Sequence, residues 1–449
     1  MYRRDMHPLN EVKIQNGIFT TQKTAVQIWD MNVLGFQDEG YDETNLKPRL
    51  AALETFWDTT DKEKGLSGEC RKFILVTTFG DPTTARRALQ LHKNSLDYIV
   101  DVAKFNRSQS NRLFTTWLPF ISTYLQYDED DTTPTHINIV FRSPKNSNSL
   151  ICSMRIHLVS LDCFVFMSAT QPNDAKDIRS RCIANVDLLR VHPLYFLSIV
   201  YENRYDRWTT WIEKVWNQVA IIETVTNMTH PDWRAGSIQS HEVQSMSTVE
   251  SFLHQLHATN LELCHSSTVM AYASRFGNRC LDIINEAEDL RKGLGMTSLS
   301  PRQGSELNGS FGAILERLTP LSDRVSELKQ RLSSQITASS SLIAQKDSRV
   351  NLAIAGLQAN DSRTLKGIAI LTLLFLPSTL VATLWTTNLF EFQGDTNWKV
   401  YITITAVLTF LVITCSWLYT RIFQRRDNDR WTRFAAYDLG FDSNSRPPI

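Results

Sequence analysis

The sequence predicts an α+β protein: an N-terminal α/β domain, a long helical stalk, and two helices near the C-terminus that are apolar enough to span a membrane. Three observations predict this class. The β-type runs end at Phe166, a helical apolar spacing continues through residues 318–357, and two long segments almost without charge follow. The 47 basic and 47 acidic residues balance, so no nucleic-acid partner is expected.

The N-terminal α/β domain is predicted over residues 1–180. A helix-like stretch at 84–101 alternates with β-type runs at 73–77, 137–141 and 154–159, the last continuing through 164–166. The polar sequence after Met1 does not have the apolar run of a signal peptide, so we expect this domain to be cytosolic. The seven cysteines include no C-x-x-C pair and indicate reduced thiols.

A cytosolic helical region is predicted over residues 181–292. Pro193 suits the first turn of a helix that runs through Trp216, and a second helix is expected over 247–292. After it, residues 293–310 are rich in glycine and serine and predict a flexible linker or long loop.

Two clusters contain residue types that could hold a metal ion. The second helix carries His254, His257, Cys264 and His265, which are compatible with a zinc site, although lone helical His and Cys residues are more often surface or core groups. The acidic residues 128–131 are compatible with a divalent cation, although a solvated loop is the more usual interpretation.

One long stalk helix is predicted over residues 311–366. Its apolar residues follow a spacing of three and four that is typical of a helix and resembles a coiled coil. No proline lies between Pro320 and Pro377, so the stalk is expected to run directly into the first span. The clearest part of the apolar spacing comprises Leu318, Leu321, Val325, Leu328 and Leu332.

The two transmembrane helices are predicted at residues 367–389 and 400–423, where the only charged residue is Arg421. At about 1.5 Å per residue, each covers roughly the ~30 Å hydrocarbon core of a bilayer. The loop 390–399 holds Glu391 and Asp395 against Lys399, whereas the tail 424–449 is basic. Basic flanks favour the cytosol, so we expect both termini to be cytosolic, the loop to be extracytosolic, and the plasma membrane to be the location.

One stripe of the first span carries hydroxyls and bulky aliphatic side chains without formal charge. In lipid such a face meets another helix or water, although threonine can also bond to its own backbone in plain helix packing. Two spans cannot surround a pore, so a water-filled face would require an oligomer. The stripe comprises Ser362, Leu365, Ile368, Thr372, Leu376, Thr379, Thr383 and Thr386, followed by Asn388.

Residues 375–390, with the sequence FLPSTLVATLWTTNLF, resemble the first span of the CorA family of divalent-metal transporters. Residues 345–349 and 365–372 are similar to divergent fungal CorA-like proteins. The resemblance implies a homopentamer with an α/β cytosolic domain, stalk helices that become pore-lining spans, and a cytosolic basic ring, here Arg421, Arg425 and Arg426.

By position, the resemblance also implies roles for residues along the first span. It implies an outer-mouth filter at Thr386, Thr387 and Asn388, where the family carries Gly-Met-Asn and binds hydrated magnesium through outer-sphere oxygens. Asn388 would be the metal-binding residue, and Glu391 and Asp395 would raise the local cation concentration. The implied pore-lining residues are Ser362, Leu365, Ile368, Leu376 and Thr379, with Thr372 and Thr383 on the same stripe.

The function expected from these features is transport of a divalent cation, most simply magnesium, through a pentameric pore. The altered triplet leaves an alternative: a non-conducting, membrane-anchored scaffold or regulatory subunit. No phosphate-binding glycine loop, H-E-x-x-H or G-x-S-x-G motif occurs, so neither an enzyme nor a cofactor is expected. The expected partners are membrane lipid, divalent cations and further copies of the chain.

Overall fold

The structure is a computed structural model that describes residues 25–31, 43–53, 69–80, 90–115, 118–128, 132–144, 149–225, 246–387 and 397–438. The chain divides into two compact units, residues 1–339 and 340–449.

A six-stranded mixed sheet forms the centre of the first unit. Its strands are β1 (Val26–Asp30), β2 (Phe73–Phe79), β3 (Phe120–Tyr127), β4 (Pro134–Arg142), β5 (Leu150–His157) and β6 (Cys163–Ala169), in the spatial order β1-β2-β6-β5-β4-β3. β2 and β6 pair in parallel, and the other neighbouring pairs are antiparallel. Every residue of β6 is buried, which explains its apolar sequence.

Helices cover both faces of this sheet, because successive side chains on a strand point to opposite faces. Phe164 of β6 belongs to a core shared with α1 (Glu43–Ala51), α2 (Lys93–Val102) and α3 (Arg107–Thr115). Val165, its neighbour, belongs to a second core shared with the helices that follow the sheet. The sheet is therefore the middle layer of three.

All regular elements described after β6 are helices, as predicted. They are α4 (Pro172–Ala184), α5 (Val186–Val191), α6 (Tyr195–Val225), α7 (Met246–Gly293), α8 (Pro301–Thr386) and α9 (Asn397–Asp438). The α+β class is confirmed, and so are the long helix and the two apolar helices at the C-terminal end.

Helices α6, α7 and α8 pack around Tyr201 of α6. The Tyr201 hydroxyl donates to the carbonyl oxygen of Ala273 on α7 (2.9 Å), and its ring stacks on Phe311 of α8 with 6.3 Å between centroids. The neighbouring Phe276 of α7 lies 5.2 Å from Phe141 of β4, centroid to centroid. These aromatic contacts join the three helices to the sheet.

Arginines at seven-residue spacing on α8 contact α6 further along. The Arg324 guanidinium carbon lies 3.1 Å from the centre of the Trp216 ring, and Arg331 pairs with Glu223 at 2.6 Å. Seven residues are about two helical turns, so Arg324 and Arg331 lie on the same face of α8. Both contact α6, and the second contact is at Glu223 in the last turn of that helix.

Two details predicted for the first domain are wrong. A helix was predicted at 84–101, but residues 90–92 are not helical and α2 begins at Lys93. The ring Nδ1 of His92 caps α2 by accepting a hydrogen bond from the Asn94 N–H (3.3 Å). The β-type run predicted from 154 to 166 is two antiparallel strands, β5 and β6, because the chain reverses between them where Leu161 has a φ of 58°. Strands β1 and β3 were not predicted.

The flexible linker predicted at 293–310 is also wrong for most of its length, because α8 already begins at Pro301. Ser300 and Gln303 form a capping box: the Ser300 N–H donates to Gln303 Oε1 (3.1 Å), and the Gln303 N–H donates to Ser300 Oγ (3.3 Å). Gly295, with a φ of 73°, ends α7. The loop between α7 and α8 is therefore short and defined at both ends.

The second unit contains the end of α8 and all of α9. Residues 388–396 lie outside the described residues, so most of the predicted loop 390–399 cannot be compared with it. The last residues of that predicted loop belong to α9, which begins at Asn397. Helix α9 continues to Asp438, beyond the predicted end of the second span at 423 and into the predicted tail.

Candidate functional site

Two segments of the second unit are long and apolar enough to cross a membrane. They are Thr364–Leu384 of α8 and Trp398–Leu418 of α9, each of 21 residues, with mean hydropathies of 2.1 and 1.9. Each measures about 32 Å at ~1.5 Å per residue, close to the ~30 Å hydrocarbon core. Large apolar side chains along both segments are exposed, which is favourable in lipid but not in water.

The stripe predicted on the first span lies on one exposed face of α8. Every member from Ser362 to Thr386 is exposed, as is Thr387 in the turn that ends the helix. On the opposite side Pro377 and Val381 are buried, whereas Ile370 and Leu374 on that same side are 69% and 48% exposed. At about 100° per residue, the centre of the stripe lies more than a quarter turn from these two buried residues. In the described part of the chain the stripe is exposed, as are most side chains around this part of α8.

The threonine hydroxyls on the stripe donate to backbone carbonyl oxygens of their own helix. Thr372 Oγ1 donates to Ala369 O (2.9 Å), Thr379 Oγ1 to Leu376 O (3.0 Å) and Thr383 Oγ1 to Leu380 O (2.8 Å). Their protons are therefore used within the helix. A hydroxyl oxygen that donates in this way keeps lone pairs that can accept, and here they lie on the exposed face.

Pro377 interrupts the backbone hydrogen bonds of α8 beside the stripe, because proline has no N–H to offer the carbonyl four residues earlier. The helix nevertheless continues through it. Ser378 Oγ and Thr379 Oγ1 both donate to the Phe375 carbonyl oxygen, at 2.7 and 3.2 Å. These bonds satisfy the two hydroxyl donors without water, as a lipid environment requires. Their acceptor is Phe375 O, whereas the carbonyl that Pro377 leaves without its N–H is Leu373 O.

At the predicted outer mouth, the structure describes two of the three filter residues. Thr386 Oγ1 donates to Thr383 O (2.9 Å), and Thr387 Oγ1 donates to Leu384 O (2.8 Å). Asn388, Glu391 and Asp395 lie outside the described residues. The predicted metal-binding role of Asn388 therefore stays a prediction.

Just after the apolar segment of α9, Arg421 is the one member of the predicted basic ring with a described side chain. Its guanidinium carbon lies 4.8 Å from the centre of the Trp417 ring. Arg425 and Arg426 belong to α9, but their side chains lie outside the described ones. A cation beside an aromatic ring at the end of an apolar segment is typical of a membrane interface.

Before the first span, α8 exposes the part of the predicted apolar spacing that follows the three-helix packing. Leu328 and Leu332 are buried against α6 and α7. From Ser341 onwards the described side chains are exposed, with Leu352 at 71% and Leu357 at 67%. Residues 341–358 therefore carry apolar side chains that the described part of the chain does not bury.

The described structure does not bring together the α7 residues whose spacing suggested a zinc site. His257 and Cys264 are seven residues apart, about 10 Å along the helix axis, whereas zinc ligands lie within ~2.3 Å of one ion. Among the described residues, no group of three or more His, Cys, Asp or Glu side chains could hold a metal ion. Of the acidic residues 128–131, Asp128 alone is described, and its N–H donates to Thr133 O (2.9 Å).

The cysteines in the sheet and its helices pack as apolar side chains. Cys152, Cys163, Cys182 and Cys280 are buried, and burial raises the pKa of each thiol well above its usual value. A thiol held neutral is a poor metal ligand, because the thiolate is the form that binds. Cys264 and Cys415 are the exposed cysteines, and the described thiols are all free, as predicted.

The start of α9 carries residues that the sequence-based interpretation assigned to the loop. Lys399 Nζ lies 5.7 Å from the centre of the Trp398 ring, on the first turn of the helix. The adjacent Trp398 and Lys399 in the sequence could have indicated that the helix begins before them, because Trp and Lys are typical residues at the ends of membrane spans.

A scan against models of protein families finds no match to this chain, and a search of curated proteins finds none either.

Proposed function

We propose that this protein transports a divalent cation, magnesium in the first instance, through a pore formed by several copies of α8 in a membrane. The observation that carries the proposal is the uncharged hydroxyl stripe on α8, which is exposed along its whole described length. The resemblance of residues 375–390 to the CorA family supports the same proposal and suggests a homopentamer with both termini in the cytosol.

The hydroxyl geometry suits an ion that keeps its water. Because Thr379 and Thr383 donate their protons to the helix, their outward-facing lone pairs are acceptors. Water bound to a cation presents its hydrogens outward and needs acceptors. Magnesium gives up its water reluctantly and is usually bound with several waters in place, so rings of uncharged acceptors match the hydrated ion.

Aliphatic residues on the same stripe provide the barrier. Leu365, Ile368 and Leu376 are exposed and lie among the hydroxyl-bearing residues along α8. In an oligomer they would form apolar rings, which close a pore to ions by excluding water when the rings approach one another. Gating would then require a change in pore width and no titration of a charged residue.

An oligomer also accounts for the uncovered part of the stalk. Residues 341–358 bear exposed apolar side chains such as Ile354 and Leu357 before the apolar segment begins. Copies of the same helix packed around an axis would bury this face and align the stripe beyond it. The second apolar segment, on α9, would then lie outside the ring, towards lipid.

A non-conducting scaffold is the second candidate. Thr386 and Thr387 stand where the CorA family has glycine and methionine, and both hydroxyls are bonded within α8. β-branched residues stiffen the backbone at a position where glycine would allow it to open. The exposed stalk would in that case bind a partner without any ion passing.

Magnesium flux into vesicles that contain only the purified full-length protein separates the two functions. The transporter predicts ion entry that follows the gradient and falls in the Asn388→Ala variant, whose side chain loses its acceptor oxygen. Absence of flux under every magnesium gradient, in vesicles where the protein is correctly inserted, would support the scaffold. Unchanged flux in Asn388→Ala would reject the filter role of Asn388 but not transport.

A further inference from the structure

Helix α9 carries one tryptophan–cation pair near each end of its apolar segment. At the beginning, Trp398 is 61% exposed and Lys399 Nζ lies 5.7 Å from its ring centre. At the end, Trp417 is 56% exposed and the Arg421 guanidinium carbon lies 4.8 Å from its ring centre. Both pairs are on the surface of the chain. Each combines an amphipathic ring with a charge that favours phosphate.

The distance between the two pairs is close to the thickness of a hydrocarbon core. Trp398 and Trp417 are nineteen residues apart on one helix, which is about 28 Å at ~1.5 Å per residue. Between them the described side chains carry a charge at Lys399 only. Its long stem allows the ammonium group to reach back past Trp398 to the surface.

The first apolar segment has the same spacing in its sequence. Lys366 and Trp385, both on α8, are also nineteen residues apart, so a charge and an indole flank the apolar run at the same separation. The comparison is Trp to Trp on α9 and Lys to Trp on α8, so in sequence the two apolar runs have similar lengths between flanking residues. Similar lengths are expected if both apolar segments cross the same bilayer.

We infer that Trp398 with Lys399, and Trp417 with Arg421, are interfacial anchors that fit α9 to a bilayer whose hydrocarbon core is about 28 Å thick. The indoles lie at the level of the headgroups, where one edge meets hydrocarbon and the N–H meets water. The Lys399 and Arg421 charges pair with lipid phosphate. This inference rests on the proposed membrane location and does not depend on ion conduction.

The anchors make the stability of the protein depend on the thickness of the bilayer. If the hydrocarbon core is thicker or thinner than the distance between the anchors, the helix must tilt or the bilayer must deform, and both cost free energy. The full-length protein is reconstituted in phosphatidylcholine vesicles with hydrocarbon cores from about 22 to 35 Å. The wild type should have its highest thermal midpoint near the middle of the series and lose several degrees in the thickest lipid. In the Trp398→Leu/Trp417→Leu double variant this dependence should largely disappear.

Phe410→Leu is the matched control, since Phe410 is an exposed aromatic residue of the same helix but lies near the middle of the segment. It should keep the wild-type dependence on thickness. A double variant with the same optimum as the wild type would overturn the inference. An equal loss of the dependence in Phe410→Leu would also overturn it, because the effect would then belong to aromatic residues in general.

Two native cysteines test the membrane location separately. Cys415 of α9 and Cys264 of α7 are both exposed on the chain. In vesicles, a membrane-impermeant maleimide should modify Cys264 and spare Cys415, and both should react after denaturation. Reaction of Cys415 as fast as Cys264 would overturn the membrane location and the anchors together. A shielded Cys415 with no effect of the tryptophan variants would overturn the anchors alone.

Discussion

Gly277 of α7 lies so close to Tyr201 of α6 that a Cβ built on Gly277 would stand 2.7 Å from the Tyr201 hydroxyl oxygen. The same Cβ would lie 2.8 Å from Leu315 of α8. Glycine at this position therefore sets the distance at which the three helices meet.

Gly277→Ala should destabilise the protein by about 1–3 kcal/mol, because the added methyl overpacks a rigid junction. Thermal or denaturant unfolding of the purified full-length protein measures the change. Gly312→Ala on α8 is the control, since a Cβ there meets nothing within 4 Å. It should be neutral or stabilising by about 0.5–1 kcal/mol, as expected for a helix interior. Equal losses in both variants would contradict the close-packed junction.

Arg331→Met should destabilise the first unit by about 1–3 kcal/mol, because the Glu223 carboxylate, only 11% exposed, would lose its bidentate partner. Replacing both residues by Met should recover most of the loss. Arg302→Met removes an exposed pair with Glu306 at 2.9 Å and should cost much less than Arg331→Met, because solvent screens an exposed pair. Unfolding measurements on the four proteins test this, and an unchanged Arg331→Met would argue against a stabilising pair.

Acid should unfold the protein partly through His192. Burial, with the nearby charge of Arg291, lowers the pKa of this side chain to about 3, although Glu288 lies 3.6 Å away. In the unfolded chain His192 binds a proton near pH 6.5, and in the folded chain it does not. Above that pH this side chain therefore takes nothing from the free energy of unfolding. Below that pH the free energy of unfolding should fall by about 1.4 kcal/mol per pH unit.

The dependence of unfolding free energy on pH between about 6.5 and 4 measures this effect. His192→Asn should reduce the slope, whatever its stability at neutral pH. A slope that does not change in His192→Asn would rule out a contribution from this side chain.

Ile368→Ala should increase ion leak through the proposed closed pore, because a smaller side chain widens an apolar ring and lowers the barrier to wetting. Ile370→Ala is the matched control, two residues away on the same helix and off the stripe. Flux measured at equal protein density should rise in Ile368→Ala and stay at the wild-type level in Ile370→Ala. A rise in both variants would indicate general loosening of the helix and would contradict a ring at Ile368.

Several elements of the fold could be predicted because their pattern is strong locally. The apolar run at 73–77 correctly predicts strand β2 (Phe73–Phe79). The spacing of Leu318, Val325 and Leu332 correctly predicts a helix face that packs, since all three side chains are buried. Strand β3, in contrast, alternates weakly, because none of its side chains is fully buried. The start of α8 was missed because glycine and serine suggested a loop, whereas the Ser300–Gln303 capping box and Pro301 start a helix there.

For the candidate site, the sequence places the stripe on one helix face, and the role of that face stays a prediction. Steps of three and four along residues 362–386 give the stripe that is exposed on α8. The direction of each hydroxyl was left open between bonding to its own backbone and facing water or a neighbouring helix. For Thr372, Thr379 and Thr383 the proton goes to the backbone. Periodicity carries no information on this choice, which depends on side-chain rotamers.

The most direct test of the account is magnesium flux through the Thr379 position in vesicles of the full-length protein. Thr379→Val keeps the shape but removes the acceptor oxygen, whereas Thr379→Ser keeps the oxygen. Thr414→Val on α9 removes a hydroxyl that is likewise bonded to its own helix (2.8 Å to Phe410 O) but lies off the stripe. The account predicts a fall of about tenfold in Thr379→Val, which corresponds to ~1.4 kcal/mol in the barrier, and near wild-type flux in the other two. Wild-type flux in Thr379→Val, or no magnesium flux in the wild type, would contradict it.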